Sequence, residues 1–215
     1  MASPWLDIPL ADYEGHMEHV GQARMLERVF GHALRMLQPQ SVAVLGAAGG
    51  NGFEHLVGSG VTRTAAVDIN PEYLQALERR FGSRVPGLAI LCGDLDDPAI
   101  DFAPVDLILA ALIFEYVDIG RALQRARAWL RPLGTLWVVL QLAGTDQTAV
   151  TPSSFGSLAR LGSSMKLQDA GRFRDAAAKA DLAEISREIL TLPGGKRFLS
   201  ASFAAGAFGR PGQKV

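Results

Sequence analysis

The stretch Val42 to Gly52, VAVLGAAGGNG, constrains this chain more than any other, because it is an apolar run that breaks into clustered small residues. Val42, Val44 and Leu45 suit a buried parallel strand, and Gly46 permits a sharp exit from it. Gly50 and Gly52 then let backbone approach a ligand closely, with Asn51 and the following FEHLV expected to open a helix. Turns of this composition also occur in loops that bind nothing, so the context decides. A second apolar run, Thr64 to Val67, ends in Asp68, 22 residues beyond Gly46. That is close to the spacing of about 20 at which an acidic residue at the end of a second strand meets ribose hydroxyls. A carboxylate accepts two hydroxyl donors at once, so the pair points to a nucleoside cofactor.

The rest of the chain alternates in the same manner. Glu14 to Leu37 lacks proline and carries Val20, Met25, Leu26, Val29, Phe30, Ala33, Leu34 and Leu37 at helical spacing, which predicts one amphipathic helix or two, closed by Pro39. Asn70 and Pro71 make an N-cap and first helical residue for a helix to Phe81. A short strand around Leu88 to Leu91 ends at Gly93 and Asp94. A long one, Val105 to Phe114, precedes a helix from Ile119 to Leu130. Arg131 to Gly134 read as a break before the strand Thr135 to Leu142. Such alternation predicts a doubly wound, mostly parallel α/β sheet with helices on both faces. Beyond it come a short helix near Phe155 to Leu161 and a second from Asp169 to Ala180. Two strand-like runs follow, Ala183 to Leu192 and Arg197 to Phe203. Pro193, Gly194 and Gly195 between them predict a terminal antiparallel hairpin.

Composition narrows the partners. With 215 residues, 48% apolar and 20% charged, the chain can bury one substantial core, and a single domain spanning 1–215 is expected. The net charge of −1 and the lack of a Lys/Arg run argue against nucleic acid or an acidic membrane as the general partner. The one cysteine, Cys92, ends an apolar run and is expected to be a buried small hydrophobe in a reducing compartment. No basic-then-apolar leader opens the chain, and its longest apolar runs fall short of the roughly 18 residues that a membrane span needs. A cytoplasmic protein is the expectation.

In order and spacing, the motifs VAVLGAAGGNG, AAVDIN, CGDLDD and LPGGKRF, with AWLRPLGTLWVV ahead of the fifth strand, resemble those of the class I S-adenosylmethionine-dependent methyltransferases. The resemblance covers about Ser41 to Phe203. It implies a Rossmann-like core at 41–206 beneath an N-terminal helical cap at 1–38, with S-adenosylmethionine as cofactor. It further implies that Gly46, Gly50, Asn51 and Gly52, with Ala48 among them, line the methionine and ribose portion. Asp68 would hold the ribose hydroxyls, Gly93, Asp94 and Leu95 would frame the adenine, and Ile69 would stack on it. Two positions depart from the family pattern. Val44 stands where an acidic residue usually orients the cofactor's ammonium, which would leave that task to water or another residue. Ala48 adds a methyl where glycine is frequent.

Two other readings fit the glycine turn. GAAGGNG also satisfies the GxxxGxG pattern of NAD(P)-dependent short-chain dehydrogenases, although no tyrosine here is followed four residues on by the lysine that such an enzyme needs. A protein that binds S-adenosylmethionine without catalysis is the other.

Methyl transfer asks mainly for alignment, and for a base when the acceptor must lose a proton. After the fourth strand, Glu115 is a candidate base or cation ligand, or else a solvated residue at a helix entrance. Phe114 and Tyr116 beside it could face a sulfonium. In the cap, Tyr13, Glu14, His16, Met17 and His19 form the densest polar and aromatic cluster. His16 and His19, three apart, would share a helix face as a base, a substrate contact or a metal pair, or mark a solvated helix start. No third ligand is marked by spacing, so no metal is expected. The absence of an Asn/Asp-Pro-Pro-Tyr/Phe tetrad in ALIFEYVD argues against nucleobase or glutamine nitrogens as acceptors. A small-molecule substrate is expected, with the segment from Ala143 to Leu167 long enough to form one wall of its pocket.

Overall fold

In the computed structural model, which describes residues 3–143 and 148–206, a 3-10 turn at Pro4–Asp7 leads into helix α1 (Leu10–His19) and helix α2 (Gln22–Leu37). Gly21 divides the two with a φ of 77°, a left-handed conformation that glycine adopts without steric cost. Helix α2 buries Met25, Phe30, Ala33 and Leu34 and leaves Arg24, Glu27, Arg28 and Arg35 exposed.

Strand β1 (Ser41–Leu45) is buried throughout. Its alternate residues go to opposite layers, as period-two geometry requires. Val42 and Val44 pack with Phe30, Ala33 and Leu34 of α2, whereas Ala43 and Leu45 belong to the core on the other side of the sheet. The chain continues through β2 (Arg63–Asp68), α3 (Pro71–Phe81), β3 (Leu88–Cys92), β4 (Val105–Ala111), α4 (Ile119–Ala128) and β5 (Leu130–Gln141). A 3-10 segment at Gly156–Ser163, then α5 (Ala170–Lys179), β6 (Leu182–Thr191) and β7 (Arg197–Ala205) complete it. The seven strands lie in the order β3-β2-β1-β4-β5-β7-β6. Neighbours from β3 through β5 pair in parallel, and β7 runs antiparallel to both β5 and β6. This is the expected Rossmann-like sheet with its terminal hairpin. Asn70, Asp118 and Asp169 cap α3, α4 and α5, each with its side chain accepting a backbone N–H.

Four local expectations are corrected. FEHLV does not open an α-helix but makes one 3-10 turn, Phe53–Leu56. Gly52 on one side and Gly58 and Gly60 on the other, all at positive φ, leave too few residues to repay helix nucleation. Between β3 and β4 there is no helix, and Asp94 and Asp97 there accept from their own downstream backbone N–H groups in turns. Cys92 is therefore exposed rather than buried, because β3 is an edge strand with no helix after it to cover its end. Finally, Arg131 to Gly134 do not break the chain before β5. They lie within it, at a register shift against Val105 and Leu107, while β4 stops at Ala111.

Candidate active site

Strand order reverses between β1 and β4, and in open α/β sheets a ligand crevice forms at such a point, at the carboxyl ends of the strands. A cavity with about 1080 Å³ of non-atom space, part of it open to solvent, lies there. Gly46, at φ 72°, leaves β1 at its edge, and Ala48, Asp68, Ile69, Gly93, Asp94 and Leu95 line the same end. Tyr13 and His16 reach it from α1.

The remaining expected positions lie elsewhere. A Cβ on Gly50 would stand 2.7 Å from the Phe81 ring, and one on Gly52 would stand 2.9 Å from Phe30. These glycines admit helix side chains against the turn and do not line the cavity. Asn51 is exposed, and its Nδ2 donates to the Ala23 carbonyl at 3.0 Å. Glu115 is 0% exposed and lies behind the lining. His16 and His19 share a helix but not an environment, since His16 is buried and His19 exposed.

Asp68 is held by backbone. Its Oδ2 accepts the Ala48 N–H at 2.8 Å and its Oδ1 accepts the Asn70 N–H at 2.9 Å. Each oxygen keeps a further lone pair for another donor. Burial pushes this carboxyl above the usual range, and the N–H groups of Asn70, Ala48 and Ile69 partly oppose the rise.

The cap is fastened over this end. Trp5 meets Tyr13 and Tyr116 edge-on at centroid distances of 5.6 and 5.1 Å, and Tyr13 stacks on Tyr73 at 5.9 Å. The Tyr73 hydroxyl donates to the Ile8 carbonyl at 2.9 Å and Asn70 Nδ2 to the Trp5 carbonyl at 2.9 Å. The start of α3 thereby holds the 3-10 segment in place. Arg80, further along α3, bonds Glu14 of α1 and donates to the Gly49 carbonyl at 2.9 Å. Burial raises the Tyr13, Tyr73 and Tyr116 phenols, with neighbouring acids adding to it, so all three stay protonated near neutral pH.

The segment after β5 adds to the lining and packs on the cap, Leu158 and Leu161 clustering with Ile8, Trp5, Tyr13 and Tyr116. Val150, Leu158, Leu161 and Met165 supply an apolar wall. Four buried polar residues also line the cavity: His16, Gln22 at the start of α2, Gln141 at the end of β5 and Lys196 just ahead of β7. His16 Nδ1 and Ser153 Oγ are 2.9 Å apart. Gln141 Nε2 and Lys196 Nζ both donate to the Ala149 carbonyl at 2.8 Å. Burial, then the charges of Lys196 and His19, lower the His16 pKa, and burial brings the Lys196 amine down to about 8. Glu115 supports this group, its Oε1 accepting the Gln141 N–H at 2.6 Å. Burial pushes its carboxyl up to about 7 against the pull of that N–H and its own.

Trp5, Tyr73, Gln141 and Lys196 were not expected from the sequence. Lys196 and Phe198 share a face by strand alternation, but Leu199, Ala201 and Phe203 make the other face equally apolar. The pattern could not say which way the lysine points.

The fold and cavity define a Rossmann-like domain with an open crevice at its switch point. The family described as a methyltransferase domain matches residues 43–138. A comparison with curated proteins found no match. Among solved structures, a chain of the complex between the Haloferax volcanii Trm112 methyltransferase activator and a putative methyltransferase is 18% identical, with 94% of this chain and 96% of that one covered and a TM-score of 0.70. The N-methyltransferase NodS of Bradyrhizobium japonicum WM9, in complex with S-adenosyl-L-homocysteine, is 17% identical over 86% of this chain and 87% of its own, with a TM-score of 0.66. A putative sarcosine dimethylglycine methyltransferase from Galdieria sulphuraria is 16% identical over 84% and 85%, with a TM-score of 0.65. At these identities the likeness is one of fold. The family match identifies residues 43–138 as a methyltransferase domain, which supports S-adenosylmethionine as the cofactor. The dehydrogenase reading and that of a binding protein without catalysis are set aside. The former also expects β6 directly beside β5, where this sheet inserts an antiparallel β7.

Proposed function

We propose that the enzyme methylates a small molecule held between the cofactor end of the cavity and the wall of Val150, Leu158, Leu161 and Met165. One observation carries the reading. The cap residues Trp5, Tyr13 and His16 and that wall both close on the cavity, leaving a pocket suited to a compact acceptor.

The residues present fit the cofactor. Asp68 offers its remaining lone pairs to ribose hydroxyls, Gly93, Asp94 and Leu95 frame an adenine, and Ile69 offers an apolar face to it. Gly46 and Ala48 bring backbone to the methionyl portion. When bound, S-adenosylmethionine supplies a methyl group already activated by its sulfonium. The protein's remaining work is to hold the acceptor in line and exclude water. His16 takes the acceptor's proton in this reading. With Nδ1–H donating to Ser153 Oγ, Nε2 keeps its lone pair, and the lowered pKa keeps the ring neutral at pH 7. Tyr13, protonated and stacked, shapes the roof. Glu115, with no surface in the cavity, positions Gln141 and is not the base.

Thermal unfolding with S-adenosylmethionine, S-adenosylhomocysteine, NAD and NADP in parallel tests the cofactor. A ligand at one hundred times its dissociation constant adds about 2.7 kcal/mol, a rise of roughly 5 to 10 °C for a chain of this size. Incubating the enzyme and methyl-labelled cofactor with a cell extract tests the acceptor. Label in the low-mass fraction supports the proposal, and label confined to protein or nucleic acid refutes it.

A further inference from the structure

We infer that the acceptor is an apolar molecule bearing one carboxylate, and that Lys196 holds that carboxylate with Gln141 beside it. The inference rests on the methyltransferase reading and names the substrate class of the same site.

An ammonium carries three donors and is costly to bury unless they are met. Lys196 is 8% exposed and lines the cavity, yet the one acceptor it reaches among the described residues is the Ala149 carbonyl. Among the described residues it forms no ion pair, whereas the exposed arginines Arg24, Arg84 and Arg187 each have a carboxylate partner. The Ala149 carbonyl is shared with Gln141 Nε2, so two donors converge on one oxygen. A pair of donors gathered in this way beside an open cavity is a ready carboxylate receptor.

The cofactor's own carboxylate is the rival occupant, and the sheet separates the two. Asp68 ends β2, whereas Lys196 enters β7, and β1, β4 and β5 lie between them. At about 4.8 Å per strand those positions stand roughly 19 Å apart. Among the described residues, the acids that line the cavity, Asp68 and Asp94, both follow β2 and β3, whereas the cation Lys196 precedes β7. Besides Lys196, His16, Gln22 and Gln141, the lining carries apolar Met17, Leu158, Leu161 and Met165, which suits a hydrocarbon or aryl body attached to the anion. His16 stands close enough to feel the lysine's charge, so the held carboxylate would bring the rest of the acceptor to the proposed base.

Calorimetric titration of benzoate, benzamide and benzylamine into protein saturated with S-adenosylhomocysteine tests this without any reaction. Benzoate is expected to bind at least about tenfold more tightly than either isostere. Lys196→Met is expected to abolish that preference, Lys196→Arg to keep most of it, and both to hold S-adenosylhomocysteine within about twofold of the wild type. Retained cofactor-product binding also reports that the variants are folded. Equal binding of benzoate and benzamide by the wild type, or no benzoate binding while S-adenosylhomocysteine binds, overturns the inference alone. A tenfold loss of S-adenosylhomocysteine in a Lys196→Met protein that unfolds at the wild-type temperature overturns it in favour of the cofactor's carboxylate. Failure of the wild type to bind S-adenosylhomocysteine overturns the methyltransferase reading and this inference with it.

Discussion

Asp68 and Ala48 are joined across two strand ends: Asp68 Oδ2 accepts the Ala48 N–H at 2.8 Å, so the carboxylate that closes β2 also holds the turn that follows β1. Asp68→Ala should therefore do two things. Freeing the N–H groups of Ala48 and Asn70 should cost about 1 to 3 kcal/mol of stability, read by urea denaturation. Loss of the ribose contact should weaken S-adenosylhomocysteine at least about tenfold in calorimetry. Unchanged affinity would remove Asp68 from the cofactor site.

Ala48 holds a φ of 45°, in the left-handed region where its Cβ crowds the following carbonyl. Ala48→Gly should relieve about 1 kcal/mol of strain, less the entropy that glycine loses on folding. A net rise in melting temperature of up to about 2 °C is expected, with cofactor affinity equal or higher. A fall in both would show that the methyl packs favourably in the turn.

Glu115 titrates near pH 4.5 as an ordinary carboxyl and near 7 in the folded chain. Between those values the native state keeps a proton that the unfolded chain has lost. Its contribution to stability is full below about pH 4.5 and declines as pH rises to about 7, by at most about 1.4 kcal/mol per unit. Among the described residues, Oε2 has no hydrogen-bond partner to stabilise the charged form. Glu115→Gln should flatten that decline and be the more stable protein at pH 8, as denaturation at pH 5 and pH 8 would reveal. A steeper decline in the variant would place the titrating group elsewhere.

His16 must be neutral to accept a proton, and its surroundings lower its pKa below 6.5. The acidic limb of kcat/KM should consequently lie below pH 6.5, with rates level from there to about pH 7 and falling as the Lys196 ammonium is lost near 8. His16→Asn should lose about 10² to 10⁴ in kcat while S-adenosylhomocysteine binding stays intact. An unaltered kcat would mean that alignment alone suffices for this acceptor.

Arg80 ties Glu14 of α1 to the Gly49 carbonyl of the glycine turn. Its side chain is 44% exposed and that of Glu14 40%, so Arg80→Met should cost less than about 1 kcal/mol of global stability. The local effect should be larger. Hydrogen exchange along Leu10–His19 is expected to quicken, and the cofactor to dissociate faster. Unchanged exchange would assign the fastening of the cap to Asn70 and Tyr73.

Much of the sheet was legible because its signals are local and redundant. Val42 to Leu45 alternate between two layers, Asn70-Pro71 caps and starts a helix, and Pro193 to Gly195 turn a hairpin. The turn Phe53–Leu56 was not legible from propensity, since its limit is the spacing of Gly52, Gly58 and Gly60 rather than the residues between them. In the site, Asp68 stood out through its distance from Gly46. Gly50 and Gly52 looked like ligand-facing positions, but the close neighbours that require glycine there are Phe81 and Phe30. Sequence shows that a side chain must be absent, not what fills the space. Glu115 and Lys196 show the complementary limit, because burial of a charge is decided by segments distant in the chain.

Strand β7 is made after β6 yet lies inside it, between β6 and β5. A chain emerging in order can assemble five parallel strands while β5 still bears an open edge, and β6 has no place to dock until β7 arrives. The lysine at the mouth of β7 enters with that last piece. The acceptor pocket proposed above is thus completed only when β7 pairs with β5, the last strand to be made filling the gap between β5 and β6.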